Sequence, residues 1–501
     1  MKSILEAIHI HARQDQTAGR LCLAAGKHDV TYEDAWDILK ALALHLQAEG
    51  ISPEDYVLVP CTQDVPYMLS VLACQLMGAV PVPVEKGAGT ERLQNILDDT
   101  HAGWCIGNTP EGFSLRPLHT AELLEDSQSL IRTGRSVDDQ NFPLPDPEDT
   151  AEILFTTGTT GKPKGIIIHH SSNTALAENV IHGVHMESDN VELIPMPLSH
   201  SHGLRRTYSN LYNGSTAVLC NGVLVVRQFF SLLEQYRATS VDISPSMLNV
   251  LFQLSKDKIA SYRDQIRYIQ LGSAPLTEEN KQRLSEDLPD TRLYNFYGTT
   301  ESGCSCILDF NQSSGKRNCI GMPTVHARFK FVDDDQKEIH ADAKHPGYIA
   351  TAGQQNMAGY LNAPALTDEV CHGGFIYTSD LGYQDEDGNI FCLGRKDDII
   401  NCGGIKIAPD EIELEASKYD GVRDCACIPV PDRIQGQVPK LYIALSKPRE
   451  NFDFQNFRVF LSEHLDRNEV PKQLEILDEI PRTYNGKIQR KKLIREAAEN
   501  R

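Results

Sequence analysis

The chain has 501 residues, a hydrophobic content of 41%, a charged content of 23% and a formal net charge of −21. That length exceeds one ordinary domain, and the composition is that of a globular protein. The acidity excludes a general nucleic-acid or anionic-membrane binder, since both need a basic footprint.

The opening "MKSILEAIHIHARQ" has no apolar signal-peptide core and reads as an amphipathic helix. A helix follows over Tyr32 to Ala48, with Trp36, Leu39, Ala43 and Leu46 on one face. "YVLVP" (Tyr56 to Pro60) and "AVPVPV" (Ala79 to Val84) read as buried strands around a helix from Tyr67 to Met77. This β-α-β order predicts a parallel sheet. The Pro/Asp-rich run 135–150 is loop.

Next comes "LFTTGTTGKPKG", Leu154 to Gly165, between the apolar strands "AEILF" and "IIIHH". Its glycines let backbone N–H groups turn toward a ligand. Its threonines add hydroxyl donors, and Lys162 and Lys164 add positive charge. A Walker A loop does not fit, because Thr156 stands where its first Gly belongs and Pro163 follows Lys162. The β-branched Ile166 to Ile168 oppose a following helix. The expected unit is strand, polyphosphate loop, strand.

A second alternating run supplies strands at Thr216 to Cys220, Thr239 to Ser244, Ile266 to Ala274 and Arg292 to Gly298. Frequent turns between Phe329 and Leu393 predict short antiparallel strands. "GRKDDIINCGGIKI", Gly394 to Ile407, marks a boundary before a small α+β domain. The thirteen cysteines contain no C-x-x-C, and no apolar run is long enough to span a bilayer. Reduced thiols in a cytoplasmic protein are expected.

Four further segments place reactive residue types at strand ends: "QLGSAPL" (Gln270 to Leu276), "NFYGTTES" (Asn295 to Ser302), "YTSDLG" (Tyr377 to Gly382) and "PRTYNGKIQRKKL" (Pro481 to Leu493). In open α/β sheets ligands gather beyond the strands' carboxyl ends. In this order and spacing, with the threonine loop, the chain resembles the adenylate-forming enzymes: acyl-CoA synthetases, peptide-synthetase adenylation domains and luciferases.

The resemblance implies an α/β fold. A large N-terminal domain (1–395) would combine parallel-rich α/β lobes with a small β-barrel-like lobe. A small mobile α+β C-terminal domain (396–501) would follow. It implies ATP, Mg²⁺ and a phosphopantetheine thiol, of coenzyme A or a carrier protein. Thr156, Thr157, Gly158, Thr159, Thr160, Gly161 and Lys164 would hold the β- and γ-phosphates. Gly272, Ser273, Ala274, Pro275, Asn295, Phe296, Tyr297 and Gly298 would flank adenine, with Tyr297 stacking on it. Thr300 would contact the α-phosphate and Glu301 would ligate Mg²⁺. Asp380 and Arg395 would hold the ribose, and Lys487 would reach the carboxylate and α-phosphate. Asp397 would be the hinge of the rotating domain, with Gly403 and Gly404 lining the pantetheine tunnel. Thr157 replaces the usual Ser, and Ser379 the common Gly; neither removes a function. Intact Lys487, Glu301 and Asp380 argue against a ligand-binding pseudoenzyme; a luciferase-like oxidising member is the other alternative.

"MPLSHSHGLRRTYSNLYNG", Met196 to Gly214, matches the family's acyl-pocket segment, with His200 at its aromatic-or-histidine position. Amino-acid-activating members carry an Asp here; none occurs between Asn190 and Asp242, which disfavours an amino acid substrate. His202, Arg205 and Arg206 are unusual. A helix starting after Gly203 would point at most one arginine at the acid, because consecutive residues lie about 100° apart. A buried arginine there favours a polar or dicarboxylic acid over a plain fatty acid.

Overall fold

The computed structural model describes residues 1–119, 125, 142–157, 163–274, 276–311, 316, 318–396, 398–403, 405–482 and 488–499. They form two compact units, the first of residues 1–329 and 350–377, the second of 330–349 and 378–501. The strands just before residue 395 thus group with the C-terminal residues, a different division from a cut at 395.

In the first unit, helix α1 (Ile4–Ala12) is capped by Ser3, whose side chain accepts from the Glu6 N–H. Helix α2 (Tyr32–Glu49) starts at Thr31, which accepts from the Asp34 N–H, and ends at Gly50 with φ +103°. Ser and Thr caps fill orphan amide donors, and a left-handed glycine closes the last turn. Strand β1 (Tyr56–Pro60), helix α3 (Val65–Leu76) and strand β2 (Val80–Val84) form the predicted parallel β-α-β unit. Pro66 sits in the first turn of α3, where its missing N–H has no helical partner to lose.

Strands β3 (Thr150–Thr157) and β4 (Pro163–His169) are antiparallel, with Leu154 opposite Ile166 and Thr156 opposite Lys164. The threonine loop therefore joins a hairpin, as its flanks predicted; residues 158–162 lie outside the described residues. Helix α4 (His170–Gly183) leaves β4 directly.

The main sheet of this unit contains β5 (Val191–Ile194), β6 (Thr216–Leu219), β7 (Ser240–Ile243), β8 (Tyr268–Leu271) and β9 (Arg292–Thr299). Their spatial order is β9-β8-β7-β5-β6, all parallel. The first four are almost wholly buried, as expected of a parallel sheet covered on both faces, while β9 is buried only over residues 293–295. Strand β10 (Gly303–Asp309) returns antiparallel along β9. Helix α5 (Ser201–Asn213) connects β5 to β6 and packs on α4. Its start precedes Gly203. An ideal Cβ at Gly203 would meet the Met196 and Pro197 carbonyl oxygens at 2.5 and 2.6 Å, so glycine admits a close backbone approach rather than marking the helix boundary.

The second unit contains strand β12 (Phe375–Gln384, from Thr378 onward) antiparallel to β13 (Ile390–Arg395); β11 is the short strand Gly359–Tyr360 of the first unit. Its C-terminal part is a sheet around the long hairpin β14 (Val422–Asp432) and β15 (Gly436–Leu445). Cys425, Cys427, Leu441, Ile443, Phe457 and Leu461 share its core. The C-x-C spacing puts both thiols on that one buried face. All thirteen cysteines are free, most of them buried. No helix among the described residues is long and apolar enough to cross a membrane.

Candidate functional site

Three of the segments singled out in the sequence, those around His202, Ser273 and Phe296, meet in the first unit through side chains. His202, on the first turn of α5, reaches two of them. Its Nδ1 lies 2.7 Å from Ser273 Oγ, and its ring meets Phe296 edge-on at 4.7 Å between centroids. The acyl segment therefore touches both segments expected around adenine. Close backbone passage explains the glycines there. A Cβ on Gly272 would lie 2.3 Å from the Phe296 ring, and one on Gly298 would lie 1.8 Å from the Gly303 carbonyl. Ser273 has φ +72°, a left-handed conformation that costs a non-glycine residue about 1–2 kcal/mol.

Asn295 lies midway along β9, largely buried, and its Oδ1 accepts no hydrogen bond. A buried acceptor left open in this way fits the exocyclic amino group of adenine. Pro275 lies outside the described residues.

Thr300 and Glu301 sit on the turn between β9 and β10. The turn is fixed at both ends. Ser302 N–H donates to Thr299 Oγ1 at 3.1 Å, and Thr299 N–H donates to Ser302 Oγ at 3.2 Å. The Glu301 carbonyl accepts from Met357 N–H at 2.7 Å. Its carboxylate accepts from the Tyr360 hydroxyl, at 3.0 Å to Oε1. Tyr360 belongs to β11, which pairs with β4, Tyr360 opposite Ile166. Lys164 Nζ lies 5.5 Å from the Tyr360 ring centroid, within cation–π range. One tyrosine thus ties the expected metal carboxylate to the strand that leaves the phosphate loop. Among the described residues, Glu301 Oε2 has no hydrogen bond to the protein. An anionic oxygen on a fixed turn suits a hard cation such as Mg²⁺.

The acyl segment departs from expectation. His200 caps α5, with Nε2 3.1 Å from Glu85 Oε1. Arg206 is fully buried and is already paired. Its Nε donates to Glu192 Oε2 at 2.7 Å, its Nη2 to Glu192 Oε1 at 2.5 Å and to Tyr268 Oη at 3.0 Å, and its Nη1 to Gln270 Oε1. Burial opposes its charge, but Glu192, Tyr268 and Asp242 outweigh that and hold it above the usual arginine range. The expectation of Arg206 as a counter-ion for a second carboxylate is corrected: Glu192 fills that role. Arg205 is also buried, and none of its three nitrogens makes a hydrogen bond. Burial pulls its pKa down, while the charges of Glu152 and Glu301 pull it up. Neither arginine faces solvent. His202 has a further partner, Asp242 at the end of β7, with Nε2 3.0 Å from Oδ1. The sequence had counted Asp242 only as the far limit of an Asp-free stretch.

In the second unit, Asp380 lies opposite Arg395 across β12 and β13, with Arg395 Nε 3.6 Å from Asp380 Oδ1. Asp380 N–H donates to Thr378 Oγ1 at 3.1 Å. Buried Asp380 and exposed Arg395 are thus held together, as a shared role on one ribose requires. Gly403 has φ +61°, with open space where a side chain would lie. Asp397, Gly404 and Lys487 lie outside the described residues. The base of the lysine segment is described: Arg482 bridges to Ile488 and pairs with Asp424 at 2.7 Å.

The model of the AMP-binding enzyme family matches residues 10–361, and that of the AMP-binding enzyme C-terminal domain matches 411–487. The 2-succinylbenzoate–CoA ligase of Listeria monocytogenes is 28% identical over 479 residues, covering 93% of this chain and 94% of its own. 4-Coumarate:CoA ligase 1 of Petunia hybrida is 25% identical over 512 residues, covering 95% and 91%. Two solved structures show the same fold. ATP-bound MatB from Rhodopseudomonas palustris has a TM-score of 0.86 at 21% identity, covering 99% of each chain. The o-succinylbenzoate CoA synthetase of Bacillus subtilis, with its acyl-adenylate intermediate, has a TM-score of 0.84 at 23% identity, covering 97% of each.

Proposed function

The chain belongs to the AMP-binding enzyme family, and from that premise we propose which of its residues perform the reaction and on what kind of acid. The reaction is ATP-dependent activation of a carboxylic acid, followed by transfer to a thiol. The acid's carboxylate oxygen attacks the α-phosphorus of ATP. The bond to pyrophosphate breaks, and an acyl-adenylate remains. The sulfur of coenzyme A then attacks the acyl carbon, AMP leaves with the bonding pair, and the thiol proton passes to solvent.

The observation that carries the assignment of roles is the Lys164–Tyr360–Glu301 connection. It links Lys164 and Glu301 through one tyrosine, which supports a shared role for them on the phosphates and their metal. Mg²⁺ bound at Glu301 would neutralise negative charge on the phosphates. The chain's own part is positioning and fixed charge, which carry most of phosphoryl-transfer catalysis. Thr300 donates to the α-phosphate from its fixed turn. Asn295 accepts from adenine, and Tyr297 stacks on it. Thr156, Thr157, Gly158, Thr159, Thr160, Gly161 and Lys164 hold the outer phosphates. Asp380 and Arg395 hold the ribose. Lys487 serves only the adenylation step, so a domain that withdraws it about Asp397 makes room for the thiol, guided by Gly403 and Gly404. The hinge between 395 and 396 belongs to this reading, as does a carrier protein as second acceptor. The acid is a small one with a polar acyl part, and an amino acid remains disfavoured.

The test is product analysis with a panel of acids, with and without coenzyme A. AMP and pyrophosphate are expected, with thioester only when the thiol is present. ADP and phosphate as products would overturn the reading.

A further inference from the structure

The floor beneath α5 is polar and buried. Strands β7 and β8 are parallel, with Asp242 in register with Gln270. Paired residues of neighbouring strands share a face, about 4.8 Å apart. His202 and Arg206, one helical turn apart on α5, lie over them. His202 binds Asp242, and Arg206 binds Gln270. Asp242 is 0% exposed and Gln270 1%.

Each partner leaves one atom unused. Asp242 Oδ1 accepts from His202, but Oδ2, although 2.9 Å from Nε2, makes no hydrogen bond. Gln270 Oε1 accepts from Arg206, but its Nε2 donates to nothing. Gln270 cannot flip its amide without losing the bond to Arg206. Buried polar atoms are almost always paired, so two neighbouring exceptions, one acceptor and one donor, describe a ligand. They adjoin the adenine-flanking segment, because the same His202 also holds Ser273.

Resting on the reaction given above, we infer that this pair reads a hydroxyl group on the acyl part of the acid, which donates to Asp242 Oδ2 and accepts from Gln270 Nε2. A hydroxyl is both donor and acceptor, so a single such group fills both places. A second carboxylate would fill Gln270 Nε2 but stand against the Asp242 carboxylate. Arg206, which binds Gln270, is already balanced by Glu192. An ammonium group would fill Asp242 Oδ2 and leave Gln270 facing a like donor. A hydrocarbon would leave both atoms stranded. At this pair the dicarboxylic preference expected from Arg206 thus gives way to a neutral hydroxyl.

The test is pyrophosphate-release kinetics on the full chain. Short ω-hydroxyalkanoic and hydroxyphenylalkanoic acids are each compared with the parent acid and with its oxo, amino and carboxy counterparts. A site built to bond a hydroxyl rejects the analogue lacking it strongly, so the best hydroxy acid should exceed its parent in kcat/KM by roughly 10²-fold or more. Parent, amino or carboxy acids equal to or better than every hydroxy acid would overturn the inference and leave the reaction standing. Pyrophosphate release with none of the acids would overturn the reaction and the inference together. Asp242→Asn gives a second reading, because its amide can keep the His202 bond through oxygen and offer a donor where the carboxylate accepted. The preference should then shift from hydroxy toward oxo acids by about 10-fold in relative kcat/KM. An equal loss on all acids would mean that Asp242 only supports the fold, against the inference.

Discussion

Tyr360→Phe removes the hydrogen bond to Glu301. The ring stays beside Lys164, and only the hydroxyl 3.0 Å from Glu301 Oε1 is lost. A hydrogen bond to a charged group contributes about 1.5–3 kcal/mol when buried. Glu301 is only half-buried, so the lower end applies, and 1.4 kcal/mol corresponds to about tenfold in rate. The freed carboxylate can rotate, and a bound cation would restrain it again. The loss should therefore appear as roughly a tenfold lower kcat/KM for ATP at limiting Mg²⁺, fading as Mg²⁺ is raised. Pyrophosphate release measured across a Mg²⁺ series, with thioester formation from supplied acyl-adenylate as control, makes the comparison. An unchanged Mg²⁺ dependence, or equal damage to the thioester half-reaction, would refute the role given to Tyr360.

Lys487→Ala should slow adenylation by roughly 10²–10³-fold, the usual cost of one transition-state donor, and spare thioester formation from supplied adenylate; Asp397→Pro should do the reverse. Rates of the separated half-reactions check both. Arg206→Met leaves Glu192 buried without its partner and should destabilise the protein by about 3–5 kcal/mol, with Glu192→Gln added to it recovering part of the loss, measured by denaturant unfolding. Burial lowers the His170 pKa from 6.5 to about 4. Its folded pKa lies below its unfolded one, so between those values the unfolded chain binds more protons and stability rises with pH. Stability should fall by up to about 3 kcal/mol as pH drops from 6.5 to 4. His170→Gln should flatten that slope in unfolding measured across this range.

The parts of the site legible in the sequence are those whose chemistry is local. A threonine-glycine loop between two apolar runs announces itself, and so does a glutamate after a glycine turn. The fold was legible because alternating strands and helices leave few topologies. Tyr360, Asp242 and Glu192 were not, for a common reason. Tyr360 lies 59 residues from the carboxylate it holds, and Asp242 lies 40 residues from His202. Only tertiary packing, of a short strand against a turn in one case and of a helix on the sheet in the other, brings each pair together. Arg206 shows the same limit from the other side. An arginine can be read as buried, but whether it faces a substrate or a glutamate on the next strand is decided by packing. Gly203 shows a different one. A glycine within a helix and a glycine before it look alike until the carbonyls of Met196 and Pro197 are seen to need the space.

The bond between His202 and Ser273 has a consequence for how such an enzyme can change. Ser273 holds a backbone conformation unfavourable to it, beside the expected adenine site, and His202 is what its hydroxyl leans on. The same histidine orients the aspartate beneath the acid. On the roles proposed above, acid choice and nucleotide grip are therefore coupled in this chain. A lineage or an engineer that replaces His202 to admit a new acid also releases Ser273, and should see the KM for ATP move with the change in substrate. New acids would be reached more readily by first relieving that residue, with glycine at 273, and only then altering 202. The order of the two substitutions, rather than their sum, would decide which intermediates remain active.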